Sequence, residues 1–216
     1  MNVASRDRIL AGIRAALPVR SVERASADYQ QIQRSYIRTV VRNSSECTAL
    51  LVERLREYGA EVAEATPSDI VSVLSAQLRA SGGSTFAAPP DLPLEWRVPG
   101  FEWLIDDGLS YEQLDKVDGV VTTASCAVAD SGTIVLHHGS AEGRRALTLL
   151  PDWHLCVVRA SQLVETLPEY FSRFPHAPQL ATYISGPSAT ADIEMTRIKG
   201  VHGPRFLHVI ILRDVS

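Results

Sequence analysis

The chain is poor in the residues that staple, ligate or span. It has three cysteines, Cys47, Cys126 and Cys156, spaced far apart and odd in number. No CxxC pair occurs, so zinc ribbons, ferredoxin-type clusters and a disulfide framework are excluded as organising devices, and the thiols are expected to be reduced and mostly buried. No apolar run approaches the roughly 18 residues of a membrane span. Nor does the amino terminus show a charged region followed by an apolar core and cleavage site. A cytoplasmic protein is therefore expected. Aromatic residues make up 6% of the chain and the formal net charge is −4, so neither stacking platforms nor a basic field argue for nucleic acid. The histidines His137, His138, His154, His176 and His208 lack HxxxH-type spacing and no neighbouring carboxylate completes a ligand set, so no metal is expected.

What is present is ordinary for a folded domain: 216 residues, 45% hydrophobic and 21% charged. Residues 5–17 read as an amphipathic helix with Ile9, Leu10, Ile13 and Leu17 on one face, stopped by Pro18. An arginine-rich stretch follows to residue 43, and 1–43 is read as a helical extension ahead of a domain covering 44–216. A stronger helix starts at Ser44 or Ser45 with Cys47, Leu50, Leu51, Leu55 and Tyr58 on one side, and ends at Gly59. The chain then alternates. A strand at Val62–Ala65 precedes a helix opened by Pro67-Ser68, with Ile70, Val71, Leu74 and Leu78 facing inward. A strand near Thr85–Ala88 leads into a proline-rich connection over 89–99, anchored by Trp96, Phe101 and Trp103.

Further on, residues 110–117 predict a short helix, and 119–137 two strands joined at Asp130-Ser131-Gly132. Another strand includes Val157 and Val158. Leu163, Val164, Leu167, Phe171 and Phe174 recur at helical spacing, interrupted or restarted by Pro168. A strand over 180–185, a helix over 188–198 and a strand over 207–212 close the chain. Strands alternating with helices predict an α/β fold, a three-layer arrangement with a mostly parallel sheet covered on both faces.

Four segments have the composition to carry chemistry. In 120–136, small residues between strands permit close approach of a ligand. There Thr122 and Thr133 are candidate ligand contacts, and Asp130 reads either as a proton acceptor or as a turn carboxylate. In Gly143-Arg144-Arg145, adjacent guanidiniums offer planar forks of donors for a carboxylate or phosphate, or merely solvated charge. In Ser185-Gly186-Pro187-Ser188-Ala189-Thr190, a glycine loop opening a helix would leave amides free for an anion, with Ser185, Gly186, Ser188 and Thr190 as contacts, unless the hydroxyls only cap. In Gly200-Val201-His202-Gly203-Pro204, a tight loop fixes an imidazole that either transfers protons near neutral pH or bonds the backbone.

Taken together these segments resemble the lactate-utilization protein C group of the LUD-domain family. The matching stretches are Ala129-Asp130-Ser131-Gly132-Thr133-Ile134-Val135-Leu136, Gly143-Arg144-Arg145 with Leu149-Leu150-Pro151, Ile184 to Glu194, and Gly200-Val201-His202-Gly203-Pro204. The resemblance covers about residues 118–212. It implies a fold similar to that of sugar-phosphate isomerases and CoA transferases, and a role as an accessory or substrate-handling component beside iron–sulfur proteins that oxidise L-lactate to pyruvate. The clusters would sit in those partners, with no cofactor bound by this chain. Asp130 and His202 would handle a proton, and Thr122, Thr133, Arg144, Arg145, Ser185, Gly186, Ser188 and Thr190 would bind a small carboxylate or phosphate. The family more often has Glu where this chain has Asp130. The shorter side chain speaks against covalent CoA transfer, since a misplacement of about 1 Å is worth roughly a hundredfold in rate. The alternatives are a stand-alone enzyme of that fold and a non-catalytic binding module that uses the amino-terminal arm. A homodimer through the amino-terminal helices is also compatible with the sequence.

Overall fold

A computed structural model describes residues 3–17, 21–35, 42–176, 178–190, 198–199 and 203–213. It divides into two compact units, Met1–Ile37 and Arg38–Ser216. The first contains helices α1 (Val3–Ala16) and α2 (Val22–Gln31). Helix α2 is capped by Ser21, whose hydroxyl accepts from the Arg24 amide, an arrangement that satisfies one of the orphan donors of a first turn.

The second unit runs α3 (Ser44–Glu57), β1 (Glu61–Ala65), α4 (Ile70–Ala80), β2 (Thr85–Ala88), β3 (Glu102–Ile105), α5 (Tyr111–Asp115), β4 (Gly119–Thr123), β5 (Cys126–Val128), β6 (Thr133–Leu136), β7 (Trp153–Arg159), β8 (Leu163–Val164), α6 (Leu167–Arg173), β9 (Thr182–Ile184), β10 (Ala189–Thr190), β11 (Ile198–Lys199) and β12 (Phe206–Leu212). Six strands form an all-parallel sheet in the order β1-β12-β7-β4-β2-β3. Strands buried on both faces read as nearly unbroken apolar runs, which is why Trp153–Arg159 and Phe206–Leu212 show no alternation in sequence.

The alternation is instead between two cores. Leu155, Val157, Ile210 and Leu212 pack against Ile70, Leu74 and Leu78 of α4 and against Phe86, Trp96 and Trp153. Cys156, Val158, Leu207, Val209 and Ile211 point the other way, onto Leu51, Val52 and Leu55 of α3 and onto Ala127, Ile134 and Leu136. The result is the expected layered α/β architecture with the sheet in the middle. Helix α3 starts at Ser44, the earlier of the two expected positions, because Asn43 and Glu46 make a capping box: the Glu46 amide donates to Asn43 Oδ1 (2.9 Å) and the Asn43 amide to Glu46 Oε2 (3.0 Å).

Several expectations are corrected. Residues 119–136 hold three strands rather than two. Only β4 joins the parallel sheet, whereas β5 and β6 form an antiparallel hairpin in a second sheet ordered β8-β5-β6-β9. Leu163 and Val164 are not helical: they pair with Ala127 and Val128, and the helix begins only at Leu167, with Pro168 in its first turn, where a missing amide is harmless. Val71 is 39% exposed rather than inward-facing, because it lies off the Ile70–Leu74–Leu78 stripe. The helix expected over 188–198 is replaced at both ends by strand, β10 pairing antiparallel with β11; residues 191–197 lie outside the described residues.

Successive connections leave β2 and β4 toward opposite edges of the sheet, which makes their carboxyl ends the topological switch where open α/β sheets usually take ligands. Here the chain itself covers that place. The Thr123 amide and hydroxyl both donate to the Ala141 carbonyl (3.1 and 2.9 Å), and the Asp91 amide donates to Ser140 O (3.3 Å). Buried Glu142 takes hydrogen bonds from the His137 amide (2.6 Å), the Gly139 amide (3.4 Å) and the Ser125 hydroxyl, pinning the 137–143 loop in position.

Candidate functional site

A cavity of about 180 Å³ opens at the other end of the sheet. His154 and Leu207, the second residues of β7 and β12 and direct register partners, form its floor. Its walls come from Arg145, Thr148 and Leu149 ahead of β7, from Thr182 to Ser188 along β9 and the loop after it, and from Gly203 and Pro204.

Two glycines let the second sheet close on α3 beside this cavity. Gly186 has φ +104° and its missing Cβ would stand 2.6 Å from Tyr58 Cβ; Gly132 has φ +60° and its missing Cβ would stand 2.6 Å from Arg54 Cβ. Both the left-handed backbone and the space therefore require glycine. The two segments are stitched side by side: Thr133 Oγ1 lies 2.8 Å from Ser185 Oγ and 2.9 Å from Ser131 Oγ.

The polar lining is wired in a defined sense. Arg145 Nη1 donates to Thr182 Oγ1 (2.7 Å), and that hydroxyl lies 2.7 Å from His138 Nε2. His138 Nδ1 lies 2.9 Å from the Gly143 carbonyl, which can only accept, so Nδ1 carries a proton, and with a neutral ring Nε2 receives the Thr182 hydroxyl hydrogen. His138 is the one non-glycine with a left-handed backbone among the described residues, at φ 58°. Such a conformation persists where surrounding structure over-determines it, here the loop pinned by Glu142. On the far side, the Tyr183 hydroxyl donates to Tyr170 Oη (3.3 Å), which lies 2.8 Å from His137 Nε2. Burial raises the Tyr170 hydroxyl well above the ordinary phenol range.

Beneath the cavity, His154 Nε2 lies 2.8 Å from Thr122 Oγ1, both groups fully buried. Loss of hydration pushes the His154 imidazole down to about 4, so it is neutral at physiological pH. The site therefore combines one guanidinium, several hydroxyls and a neutral ring in a space below the roughly 300–1,000 Å³ of pockets for drug-sized ligands. That suits an anion of a few heavy atoms.

Among the residues singled out from sequence, Arg145, Ser185, Gly186 and Ser188 line this cavity. Thr133 and Thr122 stand one hydrogen bond behind it. Arg144 is directed elsewhere, into a two-point ion pair with buried Asp106 and a hydrogen bond to Leu109 O. Asp130 sits exposed in the β5–β6 turn and is not among the lining residues, with its amide donating to Glu165 O (3.0 Å). The anion cradle expected from loop amides at a helix start does not form as read: a strand starts there, and the Ser188 amide donates to Pro204 O (2.8 Å). Thr190 lies in β10, and His202 lies outside the described residues, although Gly203 and Pro204 beside it line the cavity. Sequence reasoning missed His138, His154, Thr182 and Tyr183, which meet Thr182, Thr122, Arg145 and Tyr170 across 13 to 44 residues of chain. Among the described residues no group of three or more His, Cys, Asp or Glu is placed to hold a metal ion.

Comparison with known proteins agrees with this architecture. The LUD domain model matches residues 36–212. The chain is 37% identical over 164 residues to lactate utilization protein C of Deinococcus radiodurans, covering 74% of this chain and 76% of that one. It is 34% identical over 110 residues to lactate utilization protein C of Halalkalibacterium halodurans, about half of each chain (48% and 47%). The crystal structure of a DUF162 family protein from Deinococcus radiodurans superposes with a TM-score of 0.69 at 29% identity, over 80% of this chain and 99% of that one. With the family model covering most of its length, the chain belongs to the LUD domain family.

Proposed function

We propose that this chain is a substrate-handling, accessory component of an iron–sulfur system that oxidises L-lactate to pyruvate in the cytoplasm, and that its cavity holds the small carboxylate. The observation that carries the reading is Arg145 at the wall of a cavity of about 180 Å³, steadied by Thr182 and ringed by hydroxyls. A guanidinium fork meets a carboxylate with charge-assisted hydrogen bonds, and hydroxyl groups meet the 2-hydroxyl or 2-oxo group of such an acid. The names of its relatives, lactate utilization protein C, support the lactate part of this reading. Electrons would leave through clusters in partner proteins, since this chain has too few cysteines to hold one.

The test is a pull-down of the tagged full chain followed by L-lactate oxidation with an artificial electron acceptor. The reading expects iron–sulfur proteins to co-purify and oxidation to require this chain, with Arg145→Ala failing to restore it. If the chain comes down alone and oxidation proceeds equally without it, the reading is wrong. A CoA transferase acting through Asp130 draws no support from an exposed turn carboxylate that is not among the residues lining the cavity.

A further inference from the structure

We propose that His138 is the positioning residue of this cavity and that it takes up a proton when a small carboxylate binds at Arg145. The inference rests on the reading of Arg145 given above.

The neutral state allows one hydrogen-bond polarity. Gly143 O accepts from Nδ1–H, Nε2 accepts from the Thr182 hydroxyl, and Thr182 Oγ1 accepts from Arg145. In that state the hydroxyl hydrogen is spent on His138 and offers nothing to a ligand. Adding one proton from solvent to Nε2 reverses the Thr182 link. Its oxygen then accepts from both His138 and Arg145, and its hydrogen is free to turn into the cavity. No bond in the ligand is made or broken. The site gains a positive charge one hydroxyl away from Arg145 and a new donor on Thr182, both of which a bound carboxylate satisfies and bulk solvent serves less well. Protonation and carboxylate binding therefore favour each other, and by linkage each raises the affinity for the other.

The surroundings suit this exchange. Imidazole is the side chain whose charge changes near neutral pH. The Glu142 carboxylate grips the amides on either side of His138, at His137 and Gly139, and so places negative charge beside an imidazolium. From β9 the facing groups are Thr182 and, through it, Arg145; Tyr183 bonds toward Tyr170 and His137 instead. Arg144, next along the chain, is already neutralised by Asp106. The left-handed backbone at His138 aims the ring at Thr182. His154, the histidine that lines the cavity itself, is held neutral by burial and does not compete.

The experiment is calorimetric titration of L-lactate and of pyruvate into the full-length protein near pH 7, in two buffers of different ionisation enthalpy, repeated between about pH 6 and pH 8. His138→Gln keeps an acceptor for Thr182 and holds no proton; Thr182→Val breaks the link from the other side. The wild type is expected to show net proton uptake and an affinity that falls as pH rises, by up to about tenfold per pH unit. His138→Gln is expected to bind without uptake and with a flat profile, below the wild type's affinity at about pH 6; Thr182→Val, which also removes the hydroxyl that steadies Arg145, is expected to bind more weakly throughout and likewise without uptake. If the wild type binds neither acid, the Arg145 reading fails and takes this inference with it. If the wild type binds without proton uptake, or either variant retains uptake, His138 has no such role and the Arg145 reading stands.

Discussion

Arg144 meets Asp106 through two parallel hydrogen bonds, Nε to Oδ2 at 2.9 Å and Nη2 to Oδ1 at 3.0 Å, while its neighbour Arg145 reaches into the cavity. Two adjacent, chemically identical side chains thus have different tasks, and the division follows from what each finds. The Asp106 carboxylate is almost fully buried and also caps the Leu109 amide (3.0 Å), so removing its guanidinium would leave a buried acidic group without its ionic partner.

Arg144→Ala should therefore destabilise the fold by about 1–3 kcal/mol, less than for a fully buried pair because Arg144 is itself partly exposed. Its affinity for a small carboxylate should be nearly unchanged. Arg145→Ala should show the opposite pattern, with unaltered melting and lost binding. Thermal melts and titrations on both variants decide the matter; equal effects of the two substitutions would refute the division of labour.

How much of this was legible beforehand differs between fold and site. The parallel sheet could be read, because strands covered on both faces leave continuous apolar runs that no local interaction disguises, and α3 and α4 carry clean stripes ending at Gly59 and Ala80. The second sheet could not. Leu163 and Val164 fit a helical stripe through Phe171 as well as a strand, and only pairing with Ala127 and Val128 decides. Of the site, Arg145 and the Ser185–Ser188 loop were legible from residue type. His154 was not, since nothing in its own neighbourhood signals that Thr122, on the adjacent strand, will meet it.

Gly186 supplies a test of how tightly the cavity wall is seated. An alanine there would place Cβ 2.6 Å from Tyr58 Cβ on a backbone at φ +104°. Gly186→Ala should lower stability by roughly 2–4 kcal/mol and, by shifting Ser185 and Ser188, weaken carboxylate binding. Gly59→Ala is the comparison: its φ is also positive, but its Cβ would meet nothing within 4 Å, so strain alone should act. Similar losses in the two variants would show that the contact with Tyr58 does not matter.

The three thiols should differ in reach but none should be a good nucleophile. Burial raises Cys126 to about 11 and Cys156 to about 12, and burial with the nearby Glu165 and Glu169 carboxylates raises Cys47 as well. With an aromatic disulfide reagent at about pH 8, only half-exposed Cys47 should react in the folded protein, and slowly; all three should react after unfolding. Rapid labelling of Cys126 or Cys156 in the native state would contradict the packing described.

Stability should also depend on pH through His154. Its folded value of about 4 lies below the ordinary 6.5, because the buried ring has lost the hydration that favours the imidazolium. Between these values the unfolded chain binds a proton that the folded chain refuses, so stability falls as pH falls, by at most about 1.4 kcal/mol per pH unit from this group. His208, held below its usual value by burial despite Glu61, acts in the same direction. Denaturant melts of the wild type should therefore weaken from about pH 6.5 to about pH 4, and His154→Gln should flatten the slope while lowering stability at neutral pH through imperfect repacking around Thr122. A variant whose acid limb matches the wild type would mean that the ring at the cavity floor is hydrated enough to titrate normally, and the cavity would then be wetter, and its polar lining less selective, than the geometry around Arg145 requires.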